Sequence, residues 1–219
     1  MNKYFEMVCL SKKNVDISTL LSNRQILLLN ISFFEYMHSL DTFCTALNKG
    51  KTLLYPTDTI WGLGCDATNQ AAVEKIYAIK KRDLSKPLIT LVADAKMLSD
   101  YVTELPENIH TLLKSDVPTT LVYPKGKGLA KGVLAPNGSV GIRIPTAGFA
   151  LDLVKSFGKP IVSTSANISD APVPESFDEI DPHILEQVDE VVPLNKEKVA
   201  RIPSQVLQIM PDGSVKQLR

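Results

Sequence analysis

YPTDTIWGLGCDA, residues 55–67, starts as the end of an apolar run (TLLYP, 52–56) and then breaks into Thr57, Asp58 and Thr59, followed by two spaced glycines, Gly62 and Gly64. TLLYP reads as a buried strand. Hydroxyls and flexible backbone directly after a strand put polar groups at the carboxyl end of a sheet, where small polar ligands are commonly met. The plainer reading is an ordinary strand-to-helix turn. Downstream, NQAAVEKIYAIKKR (69–82) has a helix period: Asn69 caps the N-terminus, and Val73, Ile76, Tyr77 and Lys80 follow the i, i+3, i+4, i+7 spacing of one face. Lys80 extends the buried stripe, an odd place for a cation unless that end of the helix faces a cleft.

Working outward, the pattern repeats. PLITLVA (87–93), TTLVYP (119–124), SVGIRIP (139–145) and KPIVSTSA (159–166) read as strands, with helical stretches near 94–102, 106–114 and 147–157. Upstream, LDTFCTALNKG (40–50) reads as a short helix stopped at Gly50. At the other end, Asp212-Gly213 lies between two alternating runs, a hairpin signature, and residues 166–182 form a Pro-rich acidic loop. Helices alternating with strands define an α/β class with a sheet flanked by helices. No internal repeat or linker splits the chain, whose 219 residues are 44% hydrophobic and suffice for a packed core.

Composition excludes several functions. Lys plus Arg and Asp plus Glu are 24 each, so no global field marks a nucleic-acid or membrane partner. Cys9, Cys44 and Cys65 are odd in number and show no C-x-x-C spacing, which argues against a disulfide framework or zinc knuckle and for a reducing compartment. His38, His110 and His183 lack metal-ligand spacing, so no metal site is expected. No apolar run reaches the ~18 residues of a membrane span. The cytoplasm is the expected location. Neither G-x-x-x-x-G-K-[ST] nor G-x-G-x-x-G occurs.

Three further segments carry chemistry, each with a plainer reading beside it. KKRDLSKP (80–87) gathers Lys80, Lys81, Arg82 and Lys86 at a helix end, where cations also simply complement the helix dipole. VGIRIP sets Arg143 among apolar neighbours of a strand. A buried guanidinium needs an anionic partner, either an internal carboxylate or a ligand. STSANIS (163–169) follows a strand with hydroxyl and amide groups suited to phosphate or carboxylate oxygens; alone it is a polar turn. Loops converging from neighbouring strands would form a cleft of cations and hydroxyls without histidine. Such a set suits polyanion binding and a reaction whose barrier is mainly electrostatic.

In order and spacing, YPTDTIWGLGCDA, KKRDLSKPL, VGIRIP and STSANIS resemble the YrdC/TsaC family of threonylcarbamoyl-AMP synthases, from about residue 40 to the C-terminus. The resemblance implies a twisted, open, mixed sheet flanked by helices around a large basic cavity, over residues 37–219. Residues 1–36 stand as an unassigned N-terminal extension, without which the domain is expected to fold, and the chain has the look of the short, single-domain form. The implied reaction makes threonylcarbamoyl-adenylate and pyrophosphate from L-threonine, bicarbonate and ATP, with Mg²⁺ carried by the ATP. A threonylcarbamoyl-transferase complex then takes the product to tRNA. The family signature falls on Lys80, Arg82, Ser165 and Asn167. By the same likeness Thr59, Arg143, Ser163 and Ser204 would contact L-threonine, and Arg82, Lys86, Ser139, Ser165, Val173 and Arg219 would line the ATP site. Asp83 stands where the family usually has proline, which sets a carboxylate beside the cations, and the strand at 119–124 lacks the usual Pro-Gly-Pro opening. Two other functions share this fold: an RNA-binding module taking double-stranded RNA or tRNA, and a carbamoyl-adenylate enzyme.

Overall fold

The computed structural model describes residues 23–106, 109, 113, 117–194, 196, 203–210 and 212–218, with the backbone alone for 23–34. The expected helix at 106–114 therefore falls almost wholly outside the described residues, as does Arg219. The chain divides into two units, residues 1–42 and 43–219. Helix α1 (Asn23–Asn48) runs through the boundary, so the short helix expected at 40–50 is the end of a 26-residue one that also contains QILLLNISFF. Gly50 stops it as expected: at φ 70° it donates to Leu47 O, while Lys51 N–H reaches back to Ala46 O. This crossed pair of bonds satisfies the last carbonyls of a helix.

Strand β1 (Leu53–Pro56) is followed by β2 (Trp61–Gly64), then by α2 (Gln70–Lys80), β3 (Thr90–Leu91) and α3 (Ala95–Tyr101). Next come β4 (Thr119–Tyr123), β5 (Val140–Arg143), α4 (Phe149–Phe157), β6 (Ile161–Val162) and β7 (Thr164–Ser165). The 3₁₀ turn Phe177–Glu179, α5 (Pro182–Gln187), β8 (Glu190–Val191), β9 (Gln205–Ile209) and β10 (Val215–Gln217) complete the chain. The strands form two open ladders, β7-β2-β1-β8 and β10-β9-β4-β5-β3-β6, each mixing parallel and antiparallel pairs. Past the end of β2 the ladders join, where Val162 N–H donates to Cys65 O at 2.8 Å and Ala67 N–H to Pro160 O at 3.0 Å.

The opening stretch is a hairpin where the sequence suggested a loop. Pro56 pairs with Trp61 and Leu53 with Gly64, and the four-residue connection is built on one hydroxyl. Thr57 Oγ1 donates to Ile60 O at 2.6 Å and accepts from Thr59 N–H and Ile60 N–H at 3.0 and 3.1 Å. Gly62 and Gly64 serve close approach rather than flexibility. A Cβ on Gly64 would lie 2.0 Å from Val162 O, and one on Gly62 would lie 3.1 Å from both Ser163 Oγ and Thr57 Cγ2.

KPIVSTSA is likewise two strands. β6 pairs with β3, the chain crosses at Ser163, and β7 pairs with β2, so this segment changes sheets in the middle. Helix α2 begins at the expected cap, Asn69 Oδ1 accepting from Ala72 N–H, and buries Val73, Ile76, Tyr77 and Lys80. The terminal hairpin is present, Ile209 opposite Val215.

Candidate active site

Six segments converge on one cavity of about 200 Å³. It is lined by Thr57, Thr59 and Gly62 from the β1–β2 hairpin, Arg82 after α2, Arg143 at the end of β5, Ser163, Thr164 and Ser165 at the sheet crossing, and Thr120 and Ser204 from β4 and the approach to β9. A second cavity of about 300 Å³ adjoins it across Pro87, Ile89 and Thr120 and carries Ser139, Val206 and Leu218. Thus six expected residues, Thr59, Arg82, Arg143, Ser163, Ser165 and Ser204, share one wall system, and Ser139 lies next door. All three residues of the sheet crossing, Ser163, Thr164 and Ser165, reach it. No histidine is among the described residues lining either cavity.

Arg143 answers the choice left open by its sequence. Its Nη2 donates to Asp58 Oδ2 at 2.6 Å and its Nη1 to Thr59 Oγ1 at 3.1 Å, so the guanidinium has an internal carboxylate partner. It still borders the cavity, and its Nε is buried without a hydrogen-bond partner. Burial lowers its pKa below the usual value, and the nearby Asp58 opposes that effect. Asp58, the residue of the motif that sequence reasoning left without a role, gathers two further contacts: its Oδ2 also accepts from Thr146 N–H and Thr146 Oγ1 at 3.1 and 2.9 Å. The signal was present, since a buried arginine demands an anion and the turn holds one. Thr120, also missed, pairs with Ser204, their hydroxyls 2.9 Å apart.

Lys80 corrects an expectation. It does not face the cleft but lies beneath it, 1% exposed, with Nζ donating to Ser165 O and Asn167 O at 2.6 Å each and to Asn167 Oδ1 at 3.3 Å. Three acceptors satisfy the three N–H groups of an ammonium. Burial, and secondarily the Arg82 charge, push its pKa down to about 7. Asn167 belongs to the same knot: it accepts from Ser165 Oγ at 2.6 Å and donates through Nδ2 to Ala171 O at 2.6 Å. Lys80 and Asn167 therefore hold the shape of the loop that presents Ser165.

Arg82 is aimed by its helix end. Lys81, at φ 48°, adopts the left-handed conformation that terminates α2, and Arg82 N–H returns to Tyr77 O. The Arg82 guanidinium then donates to Lys86 O and Pro87 O, both at 3.0 Å. Asp83 accepts from Ser85 N–H at 2.7 Å, and those local bonds hold its carboxyl below the usual range. Its carboxylate thus closes the turn that a proline would stiffen. Lys86 lines neither cavity and is bound to Asp170. Val173 is exposed and lines neither cavity. No group of three or more histidine, cysteine or acidic side chains able to hold a metal occurs among the described residues.

The domain is an open α/β fold with an arginine-bearing, hydroxyl-lined cleft, a lining whose chemistry suits small anions. The Sua5/YciO/YrdC family model, described as telomere recombination, matches residues 45–219, and the chain belongs to that family. It is 30% identical over 158 residues to the threonylcarbamoyl-AMP synthase of Stenotrophomonas maltophilia, covering 70% of this chain and 85% of that one. The crystal structure of P. abyssi Sua5 complexed with L-threonine superposes with a TM-score of 0.73 at 27% identity, over 82% of this chain and 53% of that one. Full-length HypF in the phosphate- and nucleotide-bound form matches with a TM-score of 0.72 at 26% identity, over 83% of this chain and 28% of the other. The chain thus spans about half of the Sua5 chain and a little over a quarter of HypF.

Proposed function

We propose that the chain is an L-threonylcarbamoyladenylate synthase, a nucleotidyltransferase of tRNA threonylcarbamoyladenosine formation. The observation that carries this reading is the Arg143 guanidinium, fixed by Asp58 and Thr59 on a hydroxyl-lined wall, with one buried N–H still unpartnered. A planar guanidinium held in this way matches an amino-acid carboxylate. Thr59, Ser163 and Ser204 supply hydroxyls around it, and the relative complexed with L-threonine supports that substrate.

In the reaction the threonine amine combines with bicarbonate to give a carbamate and water. A carbamate oxygen then attacks the α-phosphorus of ATP, the bond from that phosphorus to the β-phosphate oxygen breaks, and its electron pair leaves with pyrophosphate. The carbamate is already anionic, so alignment and charge screening replace a general base. Arg82 screens the phosphates at the cavity wall, Lys86 and Ser139 extend the nucleotide contact, and Ser165 orients the reacting groups. Val173 and Arg219 complete the ATP contacts of the proposal. Mg²⁺ enters with ATP as part of the substrate. The product passes to a threonylcarbamoyl-transferase complex, with tRNA as final acceptor and the cytoplasm as the setting. No helix among the described residues is long and apolar enough to cross a membrane.

The test is pyrophosphate release from ATP and bicarbonate with and without L-threonine, with the adenylate identified by mass. Release that requires threonine is expected. Release that ignores threonine and instead follows added carbamoyl phosphate would overturn the reading in favour of carbamoyl-adenylate chemistry.

A further inference from the structure

The turn Ile168–Ala171 closes with Ala171 N–H donating to Ile168 O at 3.1 Å, and its third residue, Asp170, has φ 68°. A four-residue turn with positive φ at that place takes glycine or asparagine by preference. Aspartate tolerates that conformation, though less readily than glycine. The Asp170 carboxylate leaves its own loop and straddles Lys86 Nζ, with Oδ1 at 2.8 Å and Oδ2 at 2.9 Å.

Both backbones beneath this pair are fixed. Lys86 O accepts from Arg82 Nε and from Tyr77 OH. On the other side Ser169 N–H donates to Lys80 O, and Asn167 Nδ2 donates to Ala171 O. The two side chains are the adjustable part, 45% exposed for Lys86 and 80% for Asp170. Exposed ion pairs of this sort are weak and exchange partners readily. Pro87, next to Lys86 in the chain, lines both cavities, while Lys86 and Asp170 themselves line neither. Asp83 is not equivalent, because its carboxylate is engaged by Ser85.

We propose that Asp170 is an intramolecular competitor of nucleotide phosphate for Lys86: its two carboxylate oxygens occupy the ammonium as phosphate oxygens would, and ATP must displace them. Asp170 is thus an affinity-setting residue of the cleft. The inference rests on the ATP reading given above.

The experiment is calorimetric titration of MgATP into the wild type, Asp170→Asn, Asp170→Gly, Lys86→Met and the Lys86→Met/Asp170→Asn double variant. Both single Asp170 variants should bind ATP about two- to fivefold more tightly, the range an exposed ion pair contributes. Their affinity should also fall more steeply with salt, since one carboxylate no longer offsets the cations. The gain should vanish in the Lys86→Met background. L-threonine affinity should not move. Asp170→Gly suits the positive φ, so its melting temperature should match or exceed the wild type, which separates the effect from unfolding. Unchanged or weaker ATP binding in both Asp170 variants overturns the proposal, as does a gain that persists without Lys86. ATP binding to none of the five proteins overturns the nucleotide reading, and the competition with it.

Discussion

Replacing Asp58 by alanine tests the support of the cleft most directly. Arg143 is 6% exposed and the Asp58 side chain 10%, and their 2.6 Å contact is the only ionic partner of Arg143 among the described residues. Removing one member of a buried pair leaves the other charge uncompensated, which costs about 3–5 kcal/mol. The Thr146 N–H and hydroxyl lose their acceptor as well. At about 2–4 °C per kcal/mol for a chain of this size, the melting temperature should drop by roughly 6–20 °C. Asp58→Asn keeps an oxygen for Arg143 and Thr146 but not the charge, so its loss should be smaller. The double replacement Asp58→Leu with Arg143→Met removes both charges together. It should recover most of the stability, because an apolar pair of similar volume is often no worse than a buried ion pair. It should nevertheless bind no L-threonine. Thermal and urea unfolding by circular dichroism, beside threonine titration, measure all three. A loss below about 1 kcal/mol for Asp58→Ala would refute the reasoning, since it would mean that Arg143 is solvated in solution and exerts no demand on its partner.

Arg143→Lys should weaken L-threonine binding by at least about tenfold, the lower end of what a charge-assisted bond contributes, because one ammonium cannot serve Thr59, Asp58 and a carboxylate together. ATP affinity should change much less; equal losses for both ligands would show that the whole cavity had shifted. Lys80→Met should slow pyrophosphate release, and its stability should carry a pH signature. Because the folded pKa is about 7 and the ordinary value 10.5, the unfolded chain binds the extra proton between those limits. Wild-type stability should therefore gain on the variant as pH rises from 7 toward 10, by at most about 1.4 kcal/mol per unit, and a constant difference across that window would refute the shift. Gly64→Ala should cost about 1–3 kcal/mol or more, measured by urea unfolding, since its Cβ would stand 2.0 Å from a backbone oxygen and some strand must move.

What could be read from the chain in advance depended on which forces acted locally. Helix α2 was legible from end to end, because its cap at Asn69 and its 3.6-residue stripe are written in neighbouring residues. Strand β2 was not. WGLG contains two glycines and no β-branched residue, and it is a strand because β1 and β7 flank it, with glycine where Val162 O and Ser163 come close. The division of KPIVSTSA was hidden for the same reason, since nothing within eight residues tells which sheet each half will join. Helix α5 did carry signals that went unread: Asp181 caps it, accepting from His183 N–H, and Pro182 fills its first turn. The loop expected at 166–182 ends where this helix begins, and nothing was expected of the residues after it.

The site was legible as a set of residues and less so as a geometry, and Lys80 shows where the difference lies. Periodicity reports that a position is turned inward, but inward can mean toward a cleft or toward the chain itself. Here it meant the chain: the ammonium meets three oxygens of the Ser165–Asn167 segment, all contributed by residues more than 80 positions away. A lysine in that place is consistent with both its burial and its signature role. A charged or half-charged amine in a dry site needs several fixed acceptors, and those acceptors belong to the loop whose Ser165 hydroxyl lines the cavity. The cation therefore need not touch a phosphate to matter. By tying Ser165 O and Asn167 O to the end of α2, it fixes the distance between the loop and Arg82 two residues further on, and the spacing of those two walls is what a reaction governed by alignment depends on.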